Sequence, residues 1–134
     1  MYDAGIGVPK DDKESVKWRT LAAKQGFVPA QLSLGTMYEN GKGVPKDYKI
    51  AVKWYTLAAE QGSAFGQNAL GNMYDRGDGV PKDGEESAKW RTLAAEQGNS
   101  QSQYNLGVMY ENGKGVPKDY KIAVKWYRLA AEQG

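Results

Sequence analysis

The chain has 134 residues, 40% of them hydrophobic and 25% charged, with a formal net charge of +2. That length suits one compact unit of neither disordered nor fibrous composition, and its interspersed Lys and Asp/Glu offer neither a nucleic-acid stripe nor a polybasic membrane patch. With no cysteine and no histidine, disulfides are excluded and the usual general base and commonest metal ligand are missing, while apolar runs of only a few residues form no transmembrane span or signal-peptide core.

A fixed ruler runs through the sequence. Trp18, Trp54, Trp90 and Trp126 stand 36 residues apart, as do Tyr2, Tyr38, Tyr74 and Tyr110, and Gly26, Gly62, Gly98 and Gly134. Periods of this size mark repeat architectures. In register the chain divides into a partial repeat, residues 1–26, which lacks its first helix, and three full repeats, 27–62, 63–98 and 99–134. All four form a single repeat domain.

Each full repeat carries two helical patterns. The first runs from about Pro29 to Asn40, with Leu34, Gly35 and Tyr38 recurring as Leu70, Gly71, Tyr74 and Leu106, Gly107, Tyr110. Their spacing suits one helix face, with the glycine admitting a neighbouring backbone. The turn Gly41-Lys42-Gly43-Val44-Pro45-Lys46-Asp47 follows, its glycines supplying backbone freedom and its proline fixing the approach to the next helix. Asp11, Asp47, Asp83 and Asp119 occupy N-cap positions, and Asp11…Glu14 and Asp83…Glu86 have capping-box spacing. The second helix, Asp47 to Gln61, places Ala51, Trp54, Tyr55 and Ala58 on a core stripe. The tryptophan is read as core, and Gly62 closes the helix as a left-handed cap.

These residues carry a resemblance. The pattern L-G-x-x-Y, then G-x-G-V-P-K-D, then K-W-x-x-L-A-A-x-Q-G is similar to the Sel1-like repeat family, a relative of the tetratricopeptide repeat, over the whole chain. The resemblance implies an all-α fold, a right-handed α/α solenoid of antiparallel helix pairs with seven helices here. It also implies a bacterial origin and a non-enzymatic protein–protein interaction scaffold. Some cysteine-rich members are associated with β-lactam binding; this chain departs from them in having no cysteine, and Ser87-Ala88-Lys89 has the wrong spacing for S-x-x-K. Gly41-Lys42-Gly43 lacks the length of a P-loop. No cofactor, metal or catalytic residue is expected.

The repeats also pair off. Lys17-Trp18-Arg19-Thr20 matches Lys89-Trp90-Arg91-Thr92, and Met37–Tyr55 matches Met109–Tyr127 residue for residue, so a 72-residue block is duplicated. The chain opens at the methionine of its repeat and reads as a segment of a longer array. Uncapped solenoid ends expose core surface, and the second-helix face around Val16, Trp18 and Leu21 is expected to be bare. Self-association of a structural segment through such ends is the alternative function.

The differences between the duplicated repeats concentrate on one stripe of the first helix: Pro29, Leu32, Ser33 and Thr36 against Gln101, Tyr104, Asn105 and Val108, with Phe65, Asn68, Ala69 and Asn72 in the repeat between. At 100° per residue this stripe points roughly 160° away from the shared stripe of Gln31, Leu34, Gly35 and Tyr38. Glu39, Asn40, Asp75, Arg76, Glu111 and Asn112 continue it. In tetratricopeptide-like solenoids this helix lines the concave groove, so the resemblance implies that the variable stripe faces a peptide or protein partner. Leu32, Phe65 and Tyr104 are the expected anchors. Plain solvent exposure or packing between repeats is the other reading of the same variation. Neither nucleic acid nor a membrane is an expected partner.

Overall fold

The computed structural model describes residues 12–133. Among them are seven α-helices and no strand: α1 (Asp12–Lys24), α2 (Val28–Asn40), α3 (Tyr48–Glu60), α4 (Ala64–Arg76), α5 (Gly84–Glu96), α6 (Ser100–Asn112) and α7 (Tyr120–Gln133). Each helix packs chiefly on its neighbours in sequence, so the core is a continuous seam of hairpin on hairpin.

The ends of these helices are set by side chains at the repeating positions. Asp47 and Asp83 cap α3 and α5 by accepting the N–H of Ile50 (3.2 Å) and Glu86 (3.1 Å), and Asp119 accepts from Ile122 (3.1 Å). Ser63 and Asn99 do the same for α4 and α6, whereas Phe27 has no capping side chain and α2 carries Pro29 in its first turn instead. The capping box expected at Asp83…Glu86 is only half made. The Asp83 N–H turns back to the Tyr74 carbonyl at 2.9 Å, and the Glu86 carboxylate accepts from Trp90 Nε1 at 3.1 Å. Asp11 lies outside the described residues, as do Met1, Tyr2 and Gly134.

A glycine at positive φ follows each helix of the repeat. Gly41 closes α2 at φ +70°, and Gly62, at φ +97°, ends α3 in a Schellman arrangement: its N–H bonds the Ala59 carbonyl while Ser63 N–H bonds that of Ala58.

The glycine inside the first helix works differently from expectation. It admits a side chain rather than a backbone: a Cβ at Gly35 or Gly107 would fall 2.6 Å from the ring of Tyr55 or Tyr127 on the following helix. At Gly71 the intruder is Arg91, whose Cγ would lie 2.8 Å away, with the Ser87 carbonyl at 3.3 Å. The tyrosine crosses its partner helix at that notch and delivers its hydroxyl to a carboxylate beyond it. Tyr55 donates to Glu39 and Tyr127 to Glu111, each at 2.7 Å. Burial, with the Glu39 carboxylate adding to it, pushes the Tyr55 hydroxyl well above the usual phenol range. The bond to Glu111 pushes Tyr127 up to about 12.

The core is built of small and straight residues. Leu34, Leu70 and Leu106 are buried, Met37, Met73 and Met109 sit at the junctions, and Ala51, Ala58, Ala59, Ala94 and Ala95 let helices approach closely. The tryptophans are graded. Trp54 is 5% exposed and clusters with Ala23, Ala30, Leu34 and Met37, Trp90 and Trp126 are half-buried, and Trp18 is 58% exposed. The core role expected of all four therefore holds fully for Trp54 and in part for Trp126, which packs on Ala88, Ala95, Leu106 and Met109. Of the face expected to be bare, Trp18 is exposed, but Val16 packs into the first core cluster. Leu21 at 45% differs little from its internal counterparts Leu57 (38%) and Leu93 (40%), so its exposure belongs to the position.

A buried polar seam joins the repeats. Gln31, Gln67 and Gln103 are 3–5% exposed, and each donates its amide to a carbonyl of the preceding second helix: Ala23 (3.1 Å), Ala59 (3.2 Å) and Ala95 (3.1 Å). The side-chain oxygen of each is in turn bonded by Gln61, Gln97 or Gln133 at the end of its own repeat.

Two outcomes check this architecture. Alanine normally stabilises a helix interior relative to glycine by about 0.5–1 kcal/mol, but Gly35→Ala is expected to destabilise by about 2 kcal/mol through overpacking against Tyr55, read by urea denaturation. The raised Tyr55 and Tyr127 favour the fold in their protonated form. Their contribution is whole below the ordinary phenol value of 10 and declines as pH rises from there through 12. The melting temperature of the parent should accordingly fall more steeply above pH 10 than that of Tyr55→Phe/Tyr127→Phe; parallel curves would deny the coupling.

Candidate functional site

The residues of the variable stripe on α2, α4 and α6 do not share one environment. Pro29, Leu32, Ser33, Thr36 and Phe65 come together around an open groove of about 520 Å³, with Met37, Arg19 and Lys42 completing its wall. Phe65 is 58% exposed. Leu32 is half-buried and packs with Ala69 against the cluster of Ala51, Tyr55 and Met73, so part of its surface serves the junction between repeats. Gln101 and Tyr104 lie apart from this groove, beside Tyr127, Ala130 and Ala131 in a second cleft. Tyr104 is 53% exposed, and its ring is tilted by 52° against that of Tyr127 at 5.5 Å. Val108 is half-buried.

The polar members are largely engaged within the fold. Glu39 accepts from Tyr55 and pairs with Arg76 at 3.1 Å across the repeat junction, and Arg76 also meets Asp78 at 3.1 Å. Asp75 faces Arg91 at 3.8 Å and Lys114 at 3.5 Å. Asn72 accepts from Arg91 at 2.8 Å, Asn68 from Ser102 at 2.7 Å, and Thr36 Oγ1 lies 3.2 Å from the Tyr55 hydroxyl. Gln101 bonds Asn105 at 3.3 Å, and Glu111 accepts from Tyr127. Asn40 and Asn112 are exposed.

Sequence reasoning missed the floor on which this stripe stands. The residue after each tryptophan, Arg19, Tyr55, Arg91 and Tyr127, alternates between guanidinium and phenol. At Tyr55, Arg91 and Tyr127 it reaches from the second helix, past the glycine notch, to the polar residues of the first. The alternation was visible at a period of 72; its direction was not, because only the hairpin geometry decides which face position 55 serves. Arg91 is 6% exposed. Burial lowers its pKa while Asp75 opposes the shift, and its Nε has no partner. Among the described residues no cluster of His, Cys, Asp or Glu could hold a metal, and no helix is long and apolar enough to cross a membrane.

No curated protein matches the chain, but solved structures do. A protective antigen of uropathogenic Escherichia coli with an SLR fold is 48% identical, with a TM-score of 0.93 over 97% of this chain and 28% of its own. A Sel1 repeat protein from Oxalobacter formigenes is 41% identical, with a TM-score of 0.91 over 99% of this chain and 55% of its own. The chain thus spans about a quarter and about half the length of these two bacterial relatives. The cysteine rich protein B of Helicobacter pylori is 27% identical, with a TM-score of 0.72 over 97% of this chain and 93% of its own. Residues 1–27, 28–63, 64–99 and 100–134 each match the Sel1 repeat. With that match across its full length and seven helices stacked in hairpins, the chain belongs to the Sel1 repeat family, an α-solenoid family of protein-interaction scaffolds that are typically non-enzymatic.

Proposed function

We propose that the variable face of α2, α4 and α6 binds an extended peptide or protein segment, with Phe65 and Tyr104 as its anchors and Leu32 as a shared wall. The observation that carries this reading is an apolar row opposite the buried stripe. Phe65 and Tyr104 stay more than half exposed although each belongs to a helix whose other side is closely packed. Large apolar side chains held in the open beside separate clefts, Phe65 at one and Tyr104 at the other, cost solubility and add little to the fold, and aromatic residues at such places are typical of interaction surfaces. The ion pairs and hydrogen bonds of Glu39, Asp75 and Arg76 fix the rim, leaving Pro29, Ser33, Thr36, Gln101, Val108, Asn40 and Asn112 to meet the partner's polar and apolar groups.

The test is a peptide-display selection against the whole chain, followed by affinity measurement on variants. Phe65→Ala/Tyr104→Ala should weaken the selected peptides by at least about tenfold, roughly 1.4 kcal/mol, with little loss of melting temperature, since both side chains are exposed. Leu32→Ala should lower stability as well, by about 1–2 kcal/mol. Peptides that bind the double variant as tightly as the parent would remove the groove as the binding face.

A further inference from the structure

The turn into each second helix of the full repeats ends in Lys-Asp, and the residue after that pair is not constant. In the repeats 27–62 and 99–134 it is a tyrosine, Tyr48 or Tyr120, whose ring lies under the ammonium of the lysine two residues earlier: Lys46 at 4.8 Å and Lys118 at 5.2 Å. Tyr48 is half-buried. It packs with Val52 and Val80 against the cluster of Ala51, Tyr55 and Met73, so the turn of the following repeat closes over it. In the repeat between, Lys82-Asp83 is followed by Gly84. The lysine is kept, and so is the valine one repeat on (Val116), but the ring between them is missing.

The backbone has not closed up to make good the loss. At the complete junction a Cβ on Gly79 would fall 2.5 Å from the Tyr48 carbonyl oxygen, and at the other a Cβ on Gly115 would press on the Gly84 carbonyl oxygen in the same way. The turn therefore seats equally closely on the helix start with or without the ring, and the volume of the ring is left over. The Met109 methyl, 2.9 Å from that same Cβ position, takes up some of it. What remains is an open cleft of about 620 Å³ bounded by Lys82, Asp83, Gly84, Glu85 and the turn 113–117. It lies at an internal junction, between the start of α5 and the turn joining α6 to α7, and shares no lining residue with the clefts at Phe65 and Tyr104.

We propose that this cleft is a seat for one aromatic side chain of a partner polypeptide, with tyrosine the best fit. The ring takes the place that Tyr48 holds one repeat earlier, under the Lys82 ammonium and against Val116. The rim carries Lys82 and Lys114 against Asp83 and Glu85, so its charges balance. Such a rim favours a neutral ring with flanking peptide amides over a free aromatic acid or amine. The seat does not depend on the peptide groove.

The probe is p-cresol, the tyrosine side chain on its own, titrated into the isotope-labelled full chain and followed by the backbone amide resonances of Gly84, Gly113, Gly115 and Val116. Saturable shifts at these amides with a Kd on the order of 1 mM are expected. N-acetyl-tyrosine N-methylamide, which adds a peptide backbone, should bind at least as tightly. Gly84→Tyr, which supplies the ring from the chain itself, should abolish both sets of shifts. Lys82→Ala, at an exposed position that guards against the first variant failing to fold, should weaken binding about threefold. Phe65→Ala should leave it unchanged, so the outcome is separable from that of the peptide groove. No saturation up to about 20 mM, or unchanged binding in either the Gly84 or the Lys82 variant, overturns the proposal. So does binding of p-cresol without binding of the blocked tyrosine, which would mark a pocket for small free aromatics instead.

Discussion

The rest of the molecule hangs on one buried glutamine per junction. An amide removed from water costs several kilocalories unless its donors and acceptor find partners. Here each of Gln31, Gln67 and Gln103 donates to a carbonyl of the hairpin behind it and accepts from the glutamine that ends its own hairpin. A slip of one helical turn would strand the whole relay, whereas the surrounding Ala, Leu and Met side chains would tolerate it better. The apolar seam makes the hairpins adhere, and the glutamines decide where. The alignment of α2, α4 and α6 into one face follows from that choice of register.

The fold was legible in the sequence because a repeat declares its own boundaries. Trp54, Tyr38 and Gly62 recur at a spacing that only a stacked architecture explains, and the Asp47 cap and Gly62 terminus were readable from local chemistry. What escaped was whatever depends on a neighbour in space. Gly35 signalled close approach, but whether a backbone or a ring entered the notch depended on the crossing of α2 and α3. The four tryptophans share one position in the repeat and differ in burial because burial is supplied by neighbouring elements, which cover Trp54 and leave Trp18 exposed. Glu86 had the spacing of a capping box, yet the Asp83 N–H was already taken by Tyr74 and the carboxylate turned to Trp90.

The candidate face was legible as a stripe and not as a site. Counting differences between the duplicated repeats located Pro29, Leu32 and Tyr104, but it could not distinguish residues facing solvent from residues spent on the scaffold. Geometry separates them. Asn68 and Asn72 are held by Ser102 and Arg91, and Leu32 is divided between groove and junction, while Phe65 and Tyr104 contribute little to holding the fold together. The variable stripe is therefore two clefts bridged by an ion-paired rim.

The 72-residue block places unlike residues behind the first helices of successive repeats. Tyr55 presents a neutral phenol that anchors Glu39 from below, while Arg91 puts a buried guanidinium under Asn72 and Asp75, with its Nε left without a partner. A buried arginine with an unsatisfied donor is a poor choice for stability alone, and its sister repeat shows that tyrosine fills the same notch with its hydroxyl bonded. Alternation of the two along one scaffold changes the charge presented to the first helix of each repeat without disturbing the glutamine register. A solenoid built this way varies at positions 19, 55, 91 and 127 and along the stripe of the first helices, while the glutamine junctions recur unchanged.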